Sequence, residues 1–293
     1  MSALQQQLLC VKWGAEKREI MEKTLYVTDL DGTLLNRQDR VNEFSRHAIN
    51  SLIEKGMLFT YATARSFVSA SVVTEGLAVR TPVIAHNGAT LFRPDTGEAF
   101  YRIRFTEEEM DRARAIIREH NISPLVYSII DGSEKVSWDV ERENEGIRNY
   151  LSRRQGDRRM RPVRGSQALY EGEIFYFTCI DTCEKLAPLY QAVKTDERYY
   201  CNFQQELYQP EYWCEIMPRE ATKANAILRL KAMLGCDRVV AFGDALNDIP
   251  MFQIVDESYA VENAVEELKA LATGIIASNE QDGLAKWLLE HAG

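Results

Sequence analysis

Thr24-Leu25-Tyr26-Val27-Thr28-Asp29-Leu30-Asp31-Gly32-Thr33-Leu34-Leu35 is a short β-rich apolar run that stops at two carboxylates and a glycine. It predicts a strand ending in an acidic loop, where the glycine lets the chain turn sharply. In open α/β sheets ligands bind beyond the carboxyl ends of the strands, so this loop has the address of an active site. The layout recurs where Val239-Val240-Ala241-Phe242 leads into Gly243-Asp244-Ala245-Leu246-Asn247-Asp248. Asp29, Asp31, Asp244 and Asp248 would bring up to four carboxylates near one point, which is unfavourable unless a cation is bound. With no thiol or imidazole in the set the ion is a hard one. Carboxylates completed by waters and a phosphate suit Mg2+ better than Ca2+, whose loop pattern is absent. A lone Asp-x-Asp-Gly is an ordinary Asx turn; the second acidic strand end is what turns the reading toward a metal.

Outward from this stretch, strand and helix patterns alternate, the signature of an α/β sheet. A helix is expected near 43–55, a strand near 57–62, a helix near 67–77 and a strand at Pro82–Ala85, all strand ends pointing the same way. Thr106 and Glu109 form a capping box that opens a helix to about His120. Beyond it the strand signals come in pairs. Leu125–Ile130 and Lys135–Val140 flank Asp131-Gly132, a hairpin turn, and further strands are expected at Glu173–Ile180, Tyr199–Gln204 and Tyr212–Met217. From Ala221 the alternation returns with a helix to about Leu234 and further βα units. The expected fold is therefore a Rossmann-like three-layer α/β core with a parallel sheet, residues 23–91 and 218–293, interrupted by an α+β cap at 92–217. Residues 1–22 form an N-terminal extension.

The chain has 293 residues, long enough for two domains, and its 45% hydrophobic and 27% charged composition is that of a soluble globular protein. No apolar run is long enough to span a membrane, and the N-terminus lacks the pattern of a secretory signal, so a cytoplasmic protein is expected. Cysteines at 10, 179, 183, 201, 214 and 236 form no Cys-x-x-Cys pair and read as reduced thiols. A formal net charge of −9 disfavours nucleic acid. Arg153, Arg154, Arg158, Arg159, Arg161 and Arg164 make one basic cluster. It reads as a solvated helix end and loop paired with surrounding acids, or more sharply as a collar for an anionic substrate. Trp13, Trp138, Trp213 and Trp287 read as packing residues, and so does His86, since the chemistry below needs no imidazole.

Two other strand ends carry suitable groups. Thr63, in Phe59-Thr60-Tyr61-Ala62-Thr63-Ala64-Arg65, offers a hydroxyl and an N–H at an expected helix start, where phosphate oxygens bind well. Lys223 stands near the start of a helix, where a cation opposes the helix dipole and gains nothing locally.

These four motifs, in this order and with an insert between the second and third, resemble the haloacid dehalogenase superfamily of phosphohydrolases. The insert's size and its position after Pro82-Val83-Ile84-Ala85-His86-Asn87-Gly88-Ala89 look like the large α/β cap of the Cof-type sugar-phosphate phosphatases. The resemblance implies that Asp29 is a nucleophile forming an aspartyl-phosphate and Asp31 the acid/base. Thr63, Ala64 and Lys223 would hold the phosphoryl group, with Asn247 nearby and Arg65 and Asn87 at the substrate edge. Mg2+ would sit on Asp29, the Asp31 carbonyl and Asp244, with Asp248 assisting through water. For these roles Asp31 needs a raised pKa relative to the metal-bound Asp29. The implied substrate is a small phosphorylated metabolite such as a sugar phosphate, handled by a monomer or weak homodimer. Ala64 departs from the usual glycine, and Glu262 from the glycine of a Met-Gly-Asn-Ala motif. A phosphomannomutase-like phosphotransferase and a non-catalytic phosphometabolite sensor are the alternatives.

Overall fold

The structure, a computed structural model, describes residues 22–205 and 210–292. Nearly all of the expected N-terminal extension, with Trp13 and Cys10, lies outside the described residues. The strands are β1 (Thr24–Thr28), β2 (Leu58–Tyr61), β3 (Val83–Ala85), β4 (Thr90–Phe92), β5 (Ala99–Arg102), β6 (Pro124–Ile130) and β7 (Ser133–Asp139). They continue with β8 (Met160–Val163), β9 (Glu173–Asp181), β10 (Tyr199–Gln205), β11 (Tyr212–Pro218), β12 (Arg238–Gly243), β13 (Glu257–Val261) and β14 (Gly274–Ile276).

Five of these strands make a parallel sheet in the order β14-β13-β12-β1-β2. Its strands are apolar on both faces because both are covered. Leu25, Val27, Val239 and Ala241 pack with Ala226, Ile227 and Leu230 of the helix Lys223–Leu234. Phe59, Tyr61, Val240 and Phe242 pack with Ile49, Leu52 and Ile53 of the helix Glu43–Glu54 and with Leu284 and Leu288 of the C-terminal helix. This is the expected layered core with a parallel sheet.

β3 runs the same way as β2, as expected. It touches β2's extension through a single parallel bridge, Ala62 to Ile84, and otherwise begins an antiparallel meander of β3, β4 and β5. The helix after β2 is also shorter than expected, running from Phe67 to Val73.

The third sheet has the order β10-β11-β9-β6-β7-β8 and is antiparallel except for the β7–β8 pair. The Asp131-Gly132 hairpin between β6 and β7 and the Thr106–Glu109 capping box are both present. One face carries Phe177, Cys179, Cys214 and Ile216 against the helices Glu107–Glu119 and Cys183–Lys194. The other face, with Tyr127, Tyr176 and Met217, packs on Ala89 and Ala221 beside the parallel-sheet body.

The arginine cluster was expected in a helix end and loop, but Met160–Val163 within it is an edge strand parallel to β7. Its arginines are largely spent. Arg159 bonds Asp157 and Glu134, Arg161 bonds Glu171, and Arg164 lies 3.4 Å from Glu141. The packing reading of His86 fits as well: it is buried among the rings of Phe92, Tyr127, Phe175 and Tyr176, with centroids 5.2–6.4 Å away. Its Nε2 lies 3.6 Å from Glu134, which Arg159 holds at 2.7 Å.

Burial raises the Glu134 carboxyl, but His86 and Arg159 outweigh it and bring its pKa down to about 2. A carboxyl depressed by folding adds stability above its unfolded pKa, and that stability is lost as pH falls through the folded value. Glu134→Gln is therefore expected to lower stability by about 3 kcal/mol at neutral pH, the gap closing toward pH 2. Urea denaturation of both proteins at stepped pH measures it; a gap that does not change with pH contradicts the ion-pair account.

Candidate active site

The register of the parallel sheet assembles the site. Thr28 is level with Phe242 on β12 and with Tyr61 on β2. Asp29 donates its N–H to the Phe242 carbonyl at 2.9 Å, and Ala62 donates to the Thr28 carbonyl at 2.8 Å. The chain segments that follow β1, β2 and β12 thus leave the sheet side by side, carrying Asp29, Thr63 and Asp244.

Lys223 is the first residue of its helix, after the N-cap Thr222, whose hydroxyl accepts from the Asn225 N–H. The side chain is 2% exposed and bonds Asp29 Oδ1 and, at 2.7 Å, Asp248 Oδ1. Asp248 is fully buried in the short turn Leu246–Asp248, where its Oδ2 accepts the N–H groups of Asp244 and Ala245 at 3.0 and 3.2 Å. Both Asp248 oxygens are therefore engaged, one shaping the loop and one holding the lysine. Asp244 Oδ1 accepts from the Thr33 hydroxyl at 2.9 Å. Gly32, at φ +78°, crosses this carboxylate so closely that a Cβ would stand 2.2 Å from Asp244 Oδ2. Only glycine fits between the two acidic loops.

Charge in this pocket is out of balance. Asp29, Asp244 and Asp248 place carboxylate oxygens within 4.8 Å of one another around one ammonium. Burial works against the Lys223 charge, but Asp248 and Asp29 outweigh it and hold its pKa above the ordinary lysine value. Burial pushes the Asp29 carboxyl up to about 7, against the pull of Lys223 and with Asp248 and Asp31 adding to the rise. Burial, Asp29 and Asp248 push Asp244 well above the carboxylate range. Asp29 thus stands in desolvated ground with like charges beside it. The donor set fits a hard divalent cation. Lys223 takes one oxygen of Asp29 and Thr33 one of Asp244, which leaves the second oxygen of each for a metal, and the raised carboxyls are the cost such an ion relieves.

The remaining expected residues surround this group. Arg65 grips Asp31 with a guanidinium fork, Nε at 2.8 Å from Oδ2 and Nη2 at 2.5 Å from Oδ1, and also reaches Asp39 at 3.2 Å. Both Asp31 oxygens are thereby bonded. Thr63 is fully buried, but its expected helix start is corrected. The helix begins at Phe67 with Ser66 as N-cap, and the Thr63 N–H is given to the Ile84 carbonyl. Its hydroxyl accepts from the Arg65 N–H at 3.1 Å and still has a proton to donate. Ala64 and Asn247 are half-buried beside these loops.

Asn87 donates to Tyr176 at 2.7 Å and to Glu215 at 3.0 Å, so it joins the third sheet to the site. Two further contributors went unread in the sequence. Asn263 donates to the Gly32 carbonyl at 2.8 Å and pins the first acidic loop, although its neighbour Glu262 was the residue that drew notice. Glu215, buried on β11, looked like an ordinary strand residue; a lone carboxylate in an apolar run was its only signal.

A sequence profile of the haloacid dehalogenase-like hydrolases matches residues 26–288. The chain belongs to that family. By this membership it is an enzyme, a phosphoric monoester hydrolase. A 5-amino-6-(5-phospho-D-ribitylamino)uracil phosphatase of Bacillus subtilis is 25% identical over 280 residues, covering 89% of this chain and 95% of that protein. The crystal structure of TM0651 from Thermotoga maritima superposes with a TM-score of 0.72 at 26% identity, covering 92% of this chain and 97% of that one. That of a haloacid dehalogenase-like hydrolase from Bacteroides thetaiotaomicron gives 0.74 at 21%, covering 93% and 100%, a likeness of fold. Within the family fold, the parallel sheet carries the acidic loops and the antiparallel sheet stands as the cap.

Proposed function

We propose that this hydrolase is a Mg2+-dependent phosphatase of a small phosphorylated metabolite, working through an aspartyl-phosphate on Asp29. The observation that carries the reading is the buried Asp29–Lys223–Asp248 group beside Asp244, three carboxylates against one ammonium at the ends of adjacent parallel strands. Asp29, the Asp31 carbonyl and Asp244 would hold the Mg2+, with Asp248 behind them, and the ion would neutralise negative charge gathering at the phosphoryl oxygens.

This chain's own residues then divide the work. Asp29 presents a carboxylate oxygen to phosphorus, and its P–O bond forms as the bond to the leaving alcohol breaks. Lys223 already touches Asp29 and offsets the charge of the incoming phosphoryl group without reorganisation, the kind of fixed electrostatics that dominates such reactions. The Thr63 hydroxyl and the neighbourhood of Ala64 and Asn247 supply hydrogen bonds to the phosphoryl oxygens. Asp31 gives its proton to the leaving oxygen and takes one from the water that cleaves the intermediate. Arg65 bonds both Asp31 oxygens, and each keeps a further lone pair for that exchange.

The division into a core of residues 23–91 and 218–293 and a cap of 92–217 belongs to the same reading. So does action in the cytoplasm; among the described residues no helix is long and apolar enough to cross a membrane. The Bacillus subtilis relative is named for a phosphorylated ribitylamino compound, a small ester of the kind proposed here. A mutase would need free cations in the cap for a second phosphate, and the pairing of Arg159, Arg161 and Arg164 with acids disfavours it.

Phosphate release from a panel of sugar phosphates, nucleotides and phosphorylated cofactors, with Mg2+ or with EDTA, tests the reading. Release with Mg2+ that falls at least about a hundredfold in EDTA is expected. Equal rates in EDTA would remove the metal, and no release from any ester would favour the sensor.

A further inference from the structure

The backbone beside Thr63 makes a turn that is unfavourable by itself. After β3, His86, Asn87 and Gly88 have φ of 50°, 52° and 103°, three left-handed residues in a row of which only the last is glycine. Histidine and asparagine enter this region more readily than most residues, but such a turn persists only where its surroundings hold it. Gly88 is held by its close approach to the start of the Lys223 helix, where a Cβ would stand 2.1 Å from the Thr222 carbonyl oxygen. Three hydrogen bonds lace the turn and the strand before it to the loop after β2. Thr63 donates its N–H to the Ile84 carbonyl at 3.0 Å, Asn87 donates to the Thr63 carbonyl at 2.9 Å, and His86 donates to the Arg65 carbonyl at 3.0 Å. That loop carries the Thr63 hydroxyl and the Arg65 fork on Asp31. Where the turn goes, these two groups follow.

The His86 side chain leaves the turn for the cap. It is 1% exposed, with the rings of Tyr127 on β6 and of Phe175 and Tyr176 on β9 at centroid distances of 5.2–5.8 Å. Among the described residues neither ring nitrogen closes a hydrogen bond. Nε2 instead lies 3.6 Å from Glu134 on β7, whose carboxylate Arg159 holds at 2.7 Å. A ring wanted only to fill this space would be better apolar, since buried polar atoms short of partners are costly. After burial, His86 is the largest influence on the Glu134 carboxyl, so the two attract across the line between core and cap.

We propose that His86 is a positioning residue for phosphoryl transfer. The cap grips its ring through the three aromatic side chains and Glu134, and that grip holds the left-handed turn which sets Thr63 and Arg65 beside Asp29 and Asp31. The cap then does more than cover the site, because its seating on His86 completes the loop that orients the phosphoryl group. Small displacements count here: a positioning group moved by about 1 Å can lower a rate on the order of a hundredfold. The kinetic part of this inference rests on the phosphatase reading; its structural part does not.

The test compares wild type with His86→Gly, His86→Gln and Glu134→Gln. Glycine suits the positive φ but removes the grip, glutamine keeps a donor that reaches toward Glu134, and the last change weakens the grip from the cap side alone. Hydrogen exchange by NMR follows the Thr63 and Asn87 amides relative to that of Val27 on β1, which cancels any overall loss of stability. Turnover of p-nitrophenyl phosphate with Mg2+ gives kcat and KM. In His86→Gly the two amides are expected to exchange about tenfold or more faster relative to Val27, and kcat to fall about tenfold or more with KM changed by less than about threefold. Glu134→Gln should shift both readouts the same way by about threefold or more, and His86→Gln should recover at least about half of the lost kcat. Thermal melts report folding; if His86→Gly does not fold, Glu134→Gln decides by its own criterion. Relative exchange within about twofold of wild type, or kcat within about twofold while only stability falls, would make His86 a packing residue and overturn the inference. If the wild type turns over no ester, the phosphatase reading fails on its own account, and the exchange rates still decide whether the cap holds this loop.

Discussion

Asp29→Asn is expected to lower turnover of every phosphate ester on the order of 10⁴-fold or more, because the amide keeps the shape of the side chain and removes the nucleophile. The fold should not suffer. Asp29 is buried with Asp244 and Asp248 close by, so neutralising it relieves like-charge repulsion, and Lys223 keeps its bond to Asp248. Thermal melting at or above the wild-type temperature, together with the loss of phosphate release, is therefore the expected pair of results. If turnover survives, Asp29 is not the nucleophile. A fall in melting temperature matching the loss would make the effect one of folding.

Lys223→Met should damage both stability and activity. The ammonium is the one cation that touches Asp29 and Asp248 among the described residues, and it is itself only 2% exposed. Breaking a buried pair from one side leaves the carboxylates unpaired, at a cost of about 3–5 kcal/mol by urea denaturation. The transition state also loses a fixed positive charge beside the phosphoryl oxygens, a loss of roughly 10²–10³-fold in kcat. Lys223→Arg should not restore it, since a planar guanidinium cannot replace a compact ammonium in a space only 2% exposed. Wild-type stability in Lys223→Met would show that the carboxylates are not held by this lysine.

The core was legible because its strands are buried on both faces and end abruptly in acid and glycine. The runs before Asp29 and Asp244 read as strands from composition alone, and the parallel register then placed both carboxylates at one edge. Lys223 was legible by contradiction, as a cation at the wrong end of a helix dipole. What sequence order does not carry is which side chains meet. Arg65 looked like an edge residue until its fork closed on Asp31, and Asn263 reaches Gly32 across 231 positions of sequence. Thr63 was misplaced because three residues of loop separate it from the helix that Ser66 caps. The strand Met160–Val163 was hidden by its arginine and proline, tolerable only because it lies at a sheet edge. Glu215 carried only the weak local signal of a lone carboxylate in an apolar run, since its partner Asn87 lies on a distant loop.

The central claim is that a phosphoryl group passes through Asp29. The direct test is a single turnover with a radiolabelled phosphate ester, quenched in acid within milliseconds and mapped by peptide mass spectrometry. The account predicts a transient acyl-phosphate on the peptide containing Asp29, absent in Asp29→Asn. Release of phosphate with no label ever bound to the protein, or label on another residue, would contradict it.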